Sequence, residues 1–243
     1  MKKLIFGFVF LKLLLLSLFW AFTFPTSQIA QIAKPQPTAL PKVSSDGINR
    51  ETSEPYKGDL SIFEGEHRAE NLQVERVMDV LKIAEGKSVA DIGAGSGWFT
   101  VKAAKRAGAK GKVFAVEINE DAIKHINERK QKENLPNIET VLGKEDDPLL
   151  PKKSVDAVLI LKTYHEIAEP IRLMKNLIPS LRKNALVGII DRNGDKSNHG
   201  IQREIVIDEL KRAGFFLKEE HDFVKGDEMD YFLIFQVENS KNR

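Results

Sequence analysis

From Ser88 onward, short apolar runs alternate with stretches in which apolar residues recur every three or four positions. Ser88–Ile92, Val113–Ile118, Ile138–Leu142, Val155–Leu161 and Ala185–Asp191 read as strands. They are short and rich in apolar residues, and the run Val113-Phe114-Ala115-Val116 suggests burial on both faces, as in a parallel sheet. Between them lie helical patterns. One follows Gly97 and runs to Ala107, with Gly108 as an expected left-handed stop. Asp121–Lys132 is a second. Pro170 opens a third, with Ile171, Met174, Leu177, Ile178 and Leu181 on one stripe. Gly200–Ala213, stopped by Gly214, is a fourth. Upstream, Leu72, Val74, Val77, Met78 and Leu81 predict one amphipathic helix over Glu66–Leu81. Phe215–Glu219 and Tyr231–Val237 predict two closing strands. The alternation predicts an α/β domain doubly wound about a parallel sheet.

A different pattern occupies the N-terminus. Met1-Lys2-Lys3 precedes an apolar run from Leu4 to Phe24, interrupted by Lys12 and Ser17. Its length is close to the roughly 20 residues that cross a bilayer. Residues 1–33 are therefore expected to be a signal peptide or an uncleaved membrane anchor, with retention slightly favoured. The basic residues lie ahead of the run, so the positive-inside rule puts the domain outside the cytoplasm, in the periplasm if the source is bacterial. A cytoplasmic protein with an apolar first helix is the competing expectation. Residues 34–55, with Pro35, Pro37 and Pro41 among polar residues, read as a disordered linker. The catalytic or binding domain is expected at 56–243.

Composition narrows the chemistry. The 243 residues are 42% hydrophobic, enough for one domain with a real core. With 37 basic and 35 acidic residues the net charge is +2, which gives no general attraction to nucleic acid. Cysteine is absent, so disulfides and cysteine-nucleophile chemistry, such as cytosine C5 methylation, are excluded.

The densest chemical signal is Val89-Ala90-Asp91-Ile92-Gly93-Ala94-Gly95-Ser96-Gly97-Trp98, a strand, a glycine turn and a helix start. Glycine there admits positive φ and lets a ligand lie against the main chain. The first helical amides would face the same crevice. A dinucleotide fingerprint needs a third glycine three residues after the second, and that position is Trp98. Glu117 ends the second strand 26 positions after Asp91, where a carboxylate can accept both hydroxyl protons of a ribose. That acid serves any nucleoside cofactor, nicotinamide included.

Asp91 with the Gly-x-Gly-x-Gly spacing, followed by Glu117, resembles the first motifs of class I S-adenosylmethionine-dependent methyltransferases. The resemblance covers about Tyr56 to Val237. It implies a Rossmann-like fold, a seven-stranded mostly parallel sheet whose last strand inserts antiparallel, and S-adenosylmethionine as cofactor. The implied cofactor site takes in Asp91, Gly93, Ala94, Gly95 and Gly97 for the methionine part, with Lys162 nearby. Glu117 would hold the ribose and Ile118 the adenine face. An acid commonly meets the adenine amino group just after the third strand. The usual aspartate is Lys144 here, which leaves Glu145, Asp146 and Asp147 as rivals.

The segment Lys162-Thr163-Tyr164-His165-Glu166-Ile167 follows the fourth strand, at the switch point where ligands bind in such sheets. Tyr164 and His165 are the expected catalytic residues, with His165 able to take a proton from the acceptor. This segment is most similar to small-molecule methyltransferases of the ubiquinone/menaquinone type. Tyr56 and Phe63 are expected either as packing aromatics or as a cover over the ligand. The Asn/Asp-Pro-Pro-aromatic signature of amino-directed nucleic-acid methylation is absent. The expected partners are a small-molecule acceptor and, through the N-terminal run, a membrane. No metal is called for. A nicotinamide-dependent dehydrogenase and a catalytically silent binding module on the same fold are the competing classes.

Overall fold

The computed structural model describes Ile48, Arg50, Thr52, Ser53 and residues 56–238. The expected leader or anchor at 1–33 lies outside the described residues. Among the described residues no helix is long and apolar enough to cross a membrane.

Seven strands form one sheet: β1 (Ser88–Ile92), β2 (Lys112–Glu117), β3 (Ile138–Leu142), β4 (Val155–Leu161), β5 (Leu181–Asp191), β6 (Phe215–His221) and β7 (Tyr231–Val237). Their order is β3-β2-β1-β4-β5-β7-β6. All neighbours from β3 to β5 are parallel, and β7 pairs antiparallel with both β5 and β6. This is the Rossmann-like sheet that the resemblance implies, with the last strand inserted antiparallel. The chain reverses direction between β1 and β4, so the carboxyl ends of these two strands flank a crevice.

Alternate residues on each strand serve two cores. Val89 and Val113 pack on one face with α2 (Val74–Val80), α3 (Trp98–Ala107) and α4 (Glu120–Lys132). Ala90 and Phe114 pack on the other with α5 (Pro170–Leu177) and α6 (Arg203–Ala213). Burial on both faces explains why β1 and β4 are largely apolar on successive positions, with Ser88, Asp91 and Asp156 as the exceptions.

The structure corrects several expected boundaries. The single helix over Glu66–Leu81 is two, α1 (Arg68–Asn71) and α2, broken where Gln73 takes φ 51 and ψ 51. On one continuous helix Leu72 and Val74 would point to opposite sides; the break lets both be buried. The helix at Pro170 ends at Leu177, a 3-10 turn containing Pro179 follows, and Leu181 begins β5. β2 is shifted back one residue and β6 extends to His221. Helix α6 starts at Arg203, because Gly200 and Ile201 close the preceding loop onto Asp195 and Arg192. Gly108 has positive φ but ψ −176, an extended exit rather than a left-handed cap.

Arg50 and Ser53 fall in the segment expected as linker, and both are fixed to the domain. Arg50 donates to the carbonyls of Tyr164 (3.1 Å) and Ile167 (3.0 Å) and pairs with the buried Glu209. Ser53 donates to Glu166. A charged side chain with three partners holds a stretch that lacks apolar periodicity.

Candidate active site

A cavity of about 600 Å³ opens over the carboxyl ends of β1, β2 and β4. Its floor is the glycine turn. One flank is built from Glu117, Ile118, Lys144, Glu145 and Pro148; the other from Lys162, Thr163, His165, Glu166 and His199. Tyr56 and Phe63, in edge contact at 5.4 Å, line the side contributed by the segment ahead of α1.

Four of the turn's amides are already used. Gly93 and Ala94 donate to the carbonyl of Val116 at 2.9 and 3.2 Å, and Gly97 donates to Ala94. The Gly95 amide donates to Glu117 Oε1 at 2.6 Å. The turn therefore does not present these four N–H groups to a ligand. What it presents is space, carbonyl oxygens and two carboxylates. A ligand that brings donors and positive charge fits such a floor, whereas a diphosphate would meet acceptors and like charge.

The three glycines differ in role. A Cβ on Gly93 would lie 2.3 Å from the Thr163 side chain, so this residue lets β4's end close over the turn. A Cβ on Gly97 would press on Ile126 at 3.2 Å, and Gly97 is not on the cavity wall. It gives α3 a left-handed start, at φ 75 and ψ 17. Gly95 is the open one: a Cβ there meets only Phe63, at 3.8 Å, and φ is +55. Gly95→Ala should therefore lower thermal stability modestly, by about 1–2 kcal/mol of left-handed strain, while reducing cofactor affinity far more. Parallel melts and calorimetry check this; equal losses in both would show that the methyl group disturbs the fold, not the ligand space.

Asp91 ends near the start of α3. It is 2% exposed and accepts from Thr100 Oγ1 at 2.6 Å. Burial pushes its carboxyl up to about 7, against the lowering effect of Thr100, with the nearby Glu117 charge adding to the rise. Glu117 is also raised by burial, opposed by amides of Gly95, Ile118 and Asn119. Positive charge stands close by. Arg68 lines the cavity, lies over Trp98 at 4.4 Å and favours the ionised form of Asp91. Desolvation, followed by Arg192 and Arg68, holds the Lys162 ammonium below its ordinary range.

Two expected residues turn away from the cavity. Tyr164 is fully buried in the core and its hydroxyl donates to Glu209 at 3.0 Å. Residues 164–166 form a 3-10 turn, in which successive side chains diverge by about 120°. His165 and Glu166 line the cavity, whereas the third side chain of the turn, Tyr164, points into the core and off the cavity wall. Asp146 pairs with Arg172 at 2.9 Å, and its carbonyl accepts from Asn176 of α5. Of the rival acids, Glu145 lines the cavity together with Lys144. Ala94 and Ile118 also line it, Ile118 with 45% exposure.

His165 has a partner that the sequence did not disclose. Its Nδ1 lies 2.9 and 3.0 Å from the two carboxylate oxygens of Asp191, which is wholly buried at the end of β5. The same carboxylate accepts from the amides of His165 (3.2 Å) and Arg192 (2.9 Å). With Asp191 accepting throughout, this network assigns the ring proton to Nδ1 and leaves a lone pair on Nε2.

A family model described as a methyltransferase domain matches residues 89–184. The structure also matches that of a SAM dependent methyltransferase from Aquifex aeolicus, with a TM-score of 0.67 and 25% identity over 75% of this chain and 100% of that one. Over residues 89–184 the chain thus resembles a methyltransferase domain, on the fold of a SAM dependent methyltransferase. The fold alone is shared with the pyocyanin biosynthetic protein PhzM, at 20% identity, TM-score 0.57, and 71% and 56% coverage of the two chains. It is likewise shared with the [4+2]-cyclase SpnF, at 15% identity, TM-score 0.58, and 69% and 80% coverage. The methyltransferase domain takes S-adenosylmethionine as cofactor, and its site suits that molecule. The face of Gly95 is open, the floor is rich in acceptors, and the buried Ser96 hydroxyl on the cavity wall has no protein hydrogen-bond partner.

Proposed function

We propose that the domain methylates a small molecule bound on the flank of His165, Glu166 and Ser53. The observation that carries this reading is the inward use of the turn's amides, which leaves Asp91 and Glu117 as the polar floor. The two carboxylates suit an ammonium group and ribose hydroxyls. In this assignment Asp91 holds the amino group of the methionine part, and Arg68 with Lys162 faces its carboxylate. Glu117 accepts from the ribose, Ile118 covers the adenine and Glu145 meets its amino group. S-adenosylmethionine supplies a sulfonium-activated methyl group. The protein's own work is then alignment and exclusion of water, with the His165 lone pair turned toward the acceptor.

A cavity of this volume has room for a nucleoside-sized cofactor and a small acceptor. The near-neutral net charge supports a small molecule over nucleic acid. A quinone-type acceptor falls within this class, supported by the Tyr164–Ile167 segment alone. Placement of the domain outside the cytoplasm rests on the basic residues ahead of the Leu4–Phe24 run.

Calorimetry of the full chain with S-adenosylhomocysteine tests the assignment. Glu117→Ala should raise Kd by about 10- to 100-fold, through loss of charge-assisted hydrogen bonds. Glu117→Gln keeps an acceptor for the Gly95 amide and separates damage to the turn from loss of ribose contacts. Wild-type affinity in both variants would remove Glu117 from the cofactor site.

A further inference from the structure

On the acceptor flank three side chains converge that the cofactor reading leaves unused as a set. His165, Glu166 and His199 each offer one ligand atom, and these atoms lie within 4.8 Å of one another. Glu166 Oε1 is 3.7 Å from His165 Nε2 and 3.6 Å from His199 Nδ1. The two rings stand edge to face, with centroids 6.2 Å apart. All three residues line the cavity.

We propose that His165 Nε2, His199 Nδ1 and Glu166 form a binding site for a divalent transition-metal ion that faces the acceptor. Two imidazoles and one carboxylate suit zinc, cobalt, manganese or iron(II) and leave coordination positions open. Metal–ligand bonds of about 2.0–2.2 Å put neighbouring ligand atoms roughly 3.0–3.5 Å apart. The Glu166 spacings are a few tenths of an ångström longer. His199 has the room to turn and close the set: its side chain is 65% exposed, whereas that of His165 is 7% exposed.

The outer partners are those a metal centre uses. Asp191 accepts the Nδ1 proton of His165, which fixes the ring and directs the Nε2 lone pair into the cavity. Ser53 donates its amide (2.5 Å) to Glu166 Oε2 and its hydroxyl (2.8 Å) to Oε1, which orients the carboxylate. A bare hydrogen-bonded histidine needs no second imidazole and no carboxylate clamped from a segment 113 positions away in sequence. With the ion bound, the His165 Nε2 lone pair is a ligand and no longer a base, and the ion itself faces a donor atom of the acceptor. That consequence rests on this flank being the acceptor end; the ion site itself does not.

Equilibrium dialysis of the chelator-treated full chain against zinc, and titration with cobalt(II) followed by its visible absorption, test the proposal. One equivalent should bind, with weak competition from magnesium or calcium. His199→Ala and Glu166→Gln should each weaken zinc binding by at least about tenfold, while His125→Ala, on α4, should not. Absence of stoichiometric zinc or cobalt binding, or the same affinity in His199→Ala and Glu166→Gln as in wild type, would overturn it. S-adenosylhomocysteine titrations on the same samples keep the two readings apart. Metal binding without nucleoside binding would leave the ion site standing and remove the transferase assignment.

Discussion

Asp91→Asn should weaken S-adenosylhomocysteine binding at pH 8 by about 10- to 100-fold, the worth of one charged hydrogen bond. The same variant should raise the melting temperature of the unliganded chain at that pH. The opposite signs follow from one cause. Burial lifts the Asp91 carboxyl from 3.8 to about 7, so the folded protein keeps a proton that the unfolded chain releases. Between those values the native state binds more protons, and stability therefore falls as pH rises. The stabilising contribution is complete below about 4 and is lost once pH passes 7. Asparagine can accept from Thr100 as aspartate does, without a charge to bury. The ligand ammonium needs that charge. Wild-type affinity should therefore climb about tenfold from pH 6 to pH 8 as the carboxylate ionises, and the variant should show a flat profile. Calorimetry and melts at both pH values decide the matter. An equal pH slope in wild type and variant would place the responsible group elsewhere.

Asp191→Asn should lower methyl transfer by about 10- to 100-fold, as the loss of an outer-shell histidine partner commonly does. Affinity for S-adenosylhomocysteine should change by less than about twofold, because Asp191 touches His165 and not the cofactor floor. The effect can be read without knowing the acceptor. Nitrogen chemical shifts of the imidazole should show a single Nδ1-protonated tautomer in the wild type and a mixture in the variant. A single unchanged tautomer in Asp191→Asn would show that the ring is held by its packing alone.

The strand pattern carried most of the fold. β1, β3, β4 and β7 fall on the positions that the short apolar-rich runs mark; β1 and β4 are buried almost throughout, whereas edge strand β3 buries little beyond Ile138. Glu117 was legible for a related reason: an acid that directly ends such a run has to meet something. The helix over Glu66–Leu81 misled because its period hides a left-handed residue, Gln73, that tertiary packing imposes. Tyr164 and Asp146 could be named as neighbours of the site but not aimed. Adjacent residues in a tight turn point to different places, and one-dimensional spacing does not say which is inward. Asp191 was visible as the acid ending β5, just as Asp91 ends β1. Its pairing with His165, 26 positions away, depends on β4 and β5 lying side by side. Arg50 and His199 gave no local signal, since each acts through partners that only the folded chain assembles.

Arg50 also sets where the smallest self-sufficient piece of this protein can begin. A truncation starting at residue 56 would strip the cation from Glu209, leaving that acid beside the Tyr164 phenol in the interior. Orphaning a buried charge typically costs about 3–5 kcal/mol, a large share of the roughly 5–15 kcal/mol by which a domain stays folded. It would also remove Ser53 from the cavity wall. The leash ahead of the catalytic body is thus one of its structural members, and cloning boundaries belong upstream of Ile48.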